Sequence, residues 1–512
     1  MPVNWIALLV FVILFGFVTI LGFLSVRWRR GDLGLLSEWG LAGSRFGTVV
    51  TWFLLGGDLY TAYTFIAVPA LLFGAGAIGF FAVPYTIIVY PLVLVVFPRL
   101  WSVCHRHGYV TAADFVYGRH GNKTLALMVA LTGIVATMPY IALQLVGIQV
   151  VIAGLGITGT KLAADLPLII AFVILAAFTY MSGLRAPAAI AIVKDILLWI
   201  TLIAVLVVIP LKLGGFGKIF AAVPPAKLLL AAPHGSTLGS YSAYATLALG
   251  SALALFLYPH SVTGVLSATD RRVVARNAAF LPAYSLLLGL LALLGFMALA
   301  AGVAHNPSYA LLFKAHGPNA AVPALILDFF PSWFAGVAFA AIAIGALVPA
   351  AIMSIASANL WTRNIYRPYI RPDCTPAQES QMAKLVSLVV KFGALVFVIA
   401  IPLKFAIYLQ LLGGVWISQT LPTVFGGLYT RWFHDRALLW GWLVGIVIGT
   451  AMAVSQAFKP IYPLVIAGFG FPCYTGLAAL ILNSAVAVVL TPVFNAGQAR
   501  RGRDETAAAD YV

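Results

Sequence analysis

Asp58 stands inside TVVTWFLLGGDLYTAYTFIAVPALLF (48–73), a run with no other acid or base, directly after Gly56 and Gly57. An ionised carboxylate in hydrocarbon costs at least about 2.5 to 3.5 kcal/mol, so it needs a partner or a task. Paired glycines weaken the helix beside it, and unwound backbone inside a membrane is tolerated only where it lines a cavity. The chemistry on offer is coordination of a cation or carriage of a proton. Lys194 and Asp195 form a second polar point in the apolar run 187–211. Neighbours on a helix point about 100° apart, so the two cannot both face lipid cheaply. They read equally as a structural ion pair or as part of an ion path. The third point is Pro259-His260 in the run 240–267, where proline removes a helical hydrogen bond and histidine adds a donor. Tyr60, Tyr63 and Tyr258 beside these breaks suit the enclosure of a short apolar tail. Lys391, near one end of its run, is expected to snorkel to the surface.

The elements that position these residues follow from composition. The chain has 512 residues, 62% hydrophobic and 9% charged, which excludes a water-soluble globule and describes a polytopic membrane protein. Thirteen apolar runs are each long enough to cross about 30 Å of hydrocarbon as a helix. They lie at 4–26, 47–73, 75–98, 124–153, 167–184, 187–211, 240–267, 279–303, 331–358, 385–403, 405–429, 437–455 and 466–494. An all-α fold is expected, with residues 1–495 as one transmembrane domain and 496–512 a disordered cytoplasmic tail. Arginine concentrates in alternate loops, at Arg27, Arg29, Arg30 and Arg45, then Arg99, Arg106 and Arg119, and so on to Arg500, Arg501 and Arg503. Cytoplasmic loops carry this excess, which places the N-terminus outside and the C-terminus inside.

The net charge of +16 is therefore topological, and no loop is long enough to build a nucleic-acid-binding face. The first run lacks a basic leader and reads as a retained span. Cys104, Cys374 and Cys473 are scattered, which supports neither a disulfide framework nor a metal cluster, and His105 and His107 read as parts of a basic loop. Two GxGxxG matches, at 74–79 and 154–159, follow no strand and read as helix-end glycines. The isolated intramembrane acids do not assemble an enzyme active site, and no cofactor is expected.

Several stretches together carry a family resemblance: GGDLYTAY (56–63), YMSGLRAPAAIAIVKD (180–195), YPHSVTGVLSATDRR (258–272), SANLWTRNIY (357–366) and FGGLYTRW (425–432). The chain resembles the sodium:solute symporters over about residues 40–450, and GGDLYTAYTFIAVPA with GLRAPAAIAIVKD looks most like the monocarboxylate permease branch. The resemblance implies a leucine-transporter-type core of two five-helix inverted repeats, about 47–211 and 240–429, in a bacterial plasma (inner) membrane. It implies symport of a short monocarboxylate such as lactate, pyruvate, acetate or propionate with H+ or Na+, by a chain expected to act as a monomer in the lipid bilayer. The alternative within the family is a sodium-coupled proline- or alanine-type symporter. Matched residue by residue, Gly56, Asp58, Leu59 and Asp195 fall at cation-site positions, and Tyr60, Thr61, Tyr63, Tyr258, His260 and Gln410 at substrate or gate positions.

One departure bears on the coupling ion. The family takes two adjacent hydroxyl side chains from the ninth span, and here Val348 and Pro349 hold those places. Neither side chain can ligate a cation. Proton coupling through Asp58 is the resulting expectation, with Ser354 and Ser357 as substitute ligands for a shifted sodium site. A half-helix N-terminus with free N–H groups suits the carboxylate of the solute.

Overall fold

A computed structural model describes residues 2–28, 31–56, 60–157, 161–233, 235–400 and 404–512, without the side chains of 161–165, 399 and 400. Gly57, Asp58 and Leu59 lie outside the described residues. Among those described, nine helices are long and apolar enough to cross a membrane, or ten when Gly239–Leu255 and Pro259–Leu266 count as one span bent by 45°. The continuous stretch Tyr63–His107 would reach about 67 Å if straight, over twice the hydrocarbon thickness. It folds back at Gly76, whose φ of 78° and ψ of −148° end one helix before the next.

The bundle is built around Ser332–Trp361, buried along almost its whole length, against which Lys123–Gly154, Arg185–Lys212 and Trp5–Leu24 pack. Trp5–Leu24 is the reverse case, with Leu9, Ile13 and Ile20 pointing outward as lipid-facing residues do. The second span is interrupted at the non-helical Tyr60 and Thr61: one helix covers Thr48–Gly56, and a π-turn Tyr63–Ala67 leads into Val68–Ala75. The seventh divides at Phe256–Tyr258. Pro259 opens the second piece at its first helical position, where a missing N–H costs nothing, so proline starts a new helix here instead of kinking a continuous one. The two broken spans meet at one end. Phe46 N–H donates to Ser267 O and Thr269 N–H to Phe46 O, both at 3.0 Å, and Ser44 Oγ reaches Leu266 O at 2.8 Å. The segment before the second span is fixed by Glu38, which accepts from Arg45 and from the fully buried Arg185.

Three expectations need correction. The fold is mostly helical, but the run 466–494 does not begin as a span: Ile461–Ile466 and Phe469–Tyr474 pair antiparallel across a two-residue turn, where Ala467 and Gly468 both take positive φ. The hairpin also binds the chain before the seventh span, through Leu238 N to Gly470 O at 3.0 Å, and Tyr474 OH donates to Leu411 O at 2.6 Å. Nor is the 496–512 tail disordered. Asp504 pairs with Arg119 at 2.9 Å, Asp510 with His107 at 2.9 Å and Arg106 at 3.2 Å, and Tyr511 is buried under Arg99. Its polar composition pointed to disorder, but the basic face it lies on supplies complementary charge. Hydrogen bonds from Ala507 N–H and then the His107 ring hold the Asp510 carboxyl below its usual range. Finally, Lys391 does not snorkel. It is 1% exposed in the middle of Pro376–Ala400, and its ammonium has no hydrogen-bond partner among the described residues.

Asp504→Ala is expected to accelerate trypsin cleavage after Arg500, Arg501 and Arg503 several-fold in detergent-purified protein, since local opening sets cleavage; an unchanged rate would show that the tail is not held by this pair. Because the Asp510 pKa is depressed, its docking contribution is present above the ordinary carboxylate pKa of about 3.9 and is lost as pH falls through the lowered value. Lys391→Met should raise unfolding stability by about 1 to 3 kcal/mol, because it removes a buried amino group with no hydrogen-bond partner among the described residues. Equal or lower stability on thermal unfolding would mean that the ammonium is satisfied.

Candidate functional site

The two breaks face a common centre. Thr61 organises the start of the second half of the second span: its Oγ1 accepts from Tyr63 N–H at 3.0 Å, and Thr64 Oγ1 accepts from Thr61 N–H at 3.0 Å. Thr64 and Phe65 N–H both donate to Thr61 O at 3.2 Å. The free N–H groups expected here are therefore already engaged. At the seventh span, the helix start at Pro259 has no side-chain cap among the described residues, and His260 lies in its first turn.

An aromatic shell connects the two breaks. Tyr60, Tyr63, Tyr85, Tyr90, Tyr140 and Tyr284 line a cavity with room for about one water. Tyr140 reaches across to Tyr258 at 5.2 Å and His260 at 5.4 Å between ring centres, so one side chain joins both halves. Tyr258 OH donates to Gln410 O at 3.0 Å, bringing in the eleventh span. The Gln410 side chain is 1% exposed, and neither of its polar atoms has a hydrogen-bond partner among the described residues. Gln144, also buried, approaches Thr61 Oγ1 at 3.5 Å with its amide nitrogen, and its oxygen has no partner among the described residues. Buried amides without partners are costly, and a polar guest would satisfy them.

The candidate cation residues gather behind this shell. Lys194 Nζ lies 3.1 Å from Asp195 Oδ1 and donates to Tyr60 O at 3.2 Å, both side chains being fully buried. Tyr284 OH donates to Asp195 Oδ2 at 3.3 Å, and Tyr60 OH donates to Tyr284 O at 3.1 Å. Gly56 joins the group by close packing, since a Cβ there would lie 2.7 Å from the Tyr284 ring. Asp58 and Leu59 lie outside the described residues. Of the substitute ligands, Ser354 is spent on Ala351 O at 2.8 Å, whereas Ser357 Oγ has no partner among the described residues. Among the described residues no group of three His, Cys, Asp or Glu could hold a metal ion.

Every candidate substrate residue thus falls at or beside the centre where the breaks meet, with Gln410 entering through Tyr258. Sequence reasoning missed Tyr140, Gln144 and Tyr284. For the first two a signal existed: TMPYIALQL (137–145) sets a proline, a tyrosine and an amide inside a long apolar run. Tyr284 carried none, because its role depends on the fold bringing 284 to 195.

Comparison with known proteins agrees with this arrangement. The model of the sodium:solute symporter family matches residues 39–445. A monocarboxylate transport permease protein of Rhizobium johnstonii is 52% identical over 96% of this chain and 98% of its own length. YodF, an uncharacterized symporter of Bacillus subtilis, is 34% identical over 96% and 95%. Among solved structures, a Na+-coupled sialic acid symporter in a substrate-bound outward-open state superposes with a TM-score of 0.73 at 17% identity, over 96% of this chain and 98% of that one, which is a likeness of fold. Broken helices meeting at a buried centre, a family match over most of the length and the permease's half-identity converge: the chain belongs to the sodium:solute symporter family.

Proposed function

We propose that this membrane protein takes up short monocarboxylates such as pyruvate, lactate, acetate or propionate together with a coupling cation. The observation that carries the reading is the helix start at Pro259 with no side-chain cap, linked through Tyr258 to Gln410, whose buried amide has no partner among the described residues. A helix N-terminus favours negative charge, and an amide side chain supplies a donor whose present isolation is unfavourable. His260 lies in the first turn and packs on Tyr140 and Tyr258. The Tyr140 ring that packs on it also lines the tyrosine-walled cavity, whose aromatic faces suit a short apolar tail better than a sugar or a second carboxylate. The similarity to the Rhizobium permease supports the same class of solute.

On this reading thirteen spans form two inverted five-helix repeats, about 47–211 and 240–429, flanked by one span before and two after. Support comes from the breaks in the second and seventh spans, the first of each repeat. The basic loops then lie in the bacterial cytoplasm, with the N-terminus outside.

In proteoliposomes, labelled pyruvate uptake should be inhibited by lactate, acetate and propionate, and not by succinate or proline. Inhibition by proline or alanine alone would replace this reading with the amino-acid one. His260→Ala and Tyr63→Ala are each expected to raise the apparent KM for pyruvate about tenfold, about 1.4 kcal/mol of binding; wild-type values in both would place the pocket elsewhere.

A further inference from the structure

A cleft of about 390 Å³ lies where the fourth span begins and the ninth ends, on the side of the basic loops. Small-molecule sites are typically about 300 to 1,000 Å³. Three elements wall it: the helix Ala112–His120 with Asp114 and Tyr117, the start of Lys123–Gly154, and the π-helix Thr362–Ile370 with Arg363, Arg367 and Tyr369. Basic side chains on this side follow from topology alone. Those of the cleft differ in being short of acceptors. Arg363 and Arg367 share one carboxylate, Glu379, at 3.5 and 3.7 Å, too far for the close paired bonds of a guanidinium fork. Arg363 Nε is buried with no hydrogen-bond partner among the described residues, and the Lys123 ammonium makes no ion pair among them. Asp114, the other acid, is already committed. Its Oδ2 accepts from the N–H groups of Val110 at 2.9 Å and Thr111 at 3.2 Å, and its Oδ1 from Asn364 Nδ2 at 2.7 Å. Three bases face two acids, so the cleft has both an excess of positive charge and donors in want of an acceptor.

We propose that this cleft binds a phosphate group through Lys123, Arg363 and Arg367. A phosphate offers several acceptor oxygens to one site, enough to take a guanidinium fork, a second guanidinium and an ammonium together. The surroundings favour the headgroup of an anionic phospholipid as its source. Tyr369 and Ile370 are both exposed at the end of the ninth span, where a phenol and an apolar side chain sit at headgroup level. Basic pockets between spans on the cytoplasmic side hold such headgroups. Bound there, the phosphate bridges the fourth span to the ninth and to the helix between the third and fourth. The site stands apart from the solute centre and does not depend on which solute is carried.

The test follows thermal unfolding of the full chain in detergent as phosphatidylglycerol, phosphatidylcholine or inorganic phosphate is added, since a ligand of the folded state raises the unfolding temperature. Phosphatidylglycerol should act at concentrations at least tenfold below phosphatidylcholine. K123A/R367A should raise its half-effect concentration at least tenfold; should that pair fail to fold, K123A alone carries the comparison. R271A/R272A removes the same charge from another basic loop and should respond as the wild type. A response to inorganic phosphate over chloride at equal ionic strength, without a phosphatidylglycerol effect and lost in K123A/R367A, upholds the site and makes free phosphate its source. No response to either phosphate source, an undiminished response in the Lys123 variants, or an equal loss in R271A/R272A overturns the proposal.

Discussion

The constraint on which everything else depends is that backbone polar groups cannot be left bare in hydrocarbon. A helix that stops halfway across a membrane strands carbonyls on one side of the gap and N–H groups on the other. The two broken spans solve this differently. N–H groups opening the second half of the second span are absorbed by Thr61 and Thr64, and the Tyr60 carbonyl by an ammonium from another helix. The seventh span starts its second half with a proline, which removes one stranded N–H, and that helix start has no side-chain cap among the described residues.

The same logic explains why the tyrosines are so numerous at the centre. Several present a ring to apolar neighbours and a hydroxyl to a backbone carbonyl elsewhere, as Tyr60 does to Tyr284, Tyr258 to Gln410 and Tyr474 to Leu411. A phenol spans the distance between a broken helix and the next span and satisfies a polar atom at each reach. These bonds join residues 60 to 284 and 258 to 410, which ties segments far apart in sequence around a single centre.

Much of this was legible in the chain. The apolar runs, an interruption in the second span and the break at Pro259 all follow from length, composition and two helix-weakening residue types. The hairpin was not. IYPLVIAGFGFPCY (461–474) is as apolar as a span, and only its β-branched residues and the Ala467-Gly468 turn set it apart. The docked tail escaped because disorder was judged from its own composition, while its order comes from Arg99, Arg106 and Arg119 far earlier in the chain. Lys391 looked close enough to a helix end to reach water, and packing on the neighbouring helices decides otherwise. In each case the missing information was the identity of a distant neighbour.

The contact between Phe46 and residues 267–269 is made by main-chain atoms alone. Exchanging side chains there leaves those two bonds chemically the same, so the strength of this clasp is common to every sequence that adopts the fold. Any adjustment of how readily the paired half-helices part must therefore act through what shields the clasp from water, foremost the Trp28 ring stacked on Phe46 and the Trp101 indole that donates to Ala268 O. Wetting, more than bond strength, becomes the variable that tunes the opening of this end.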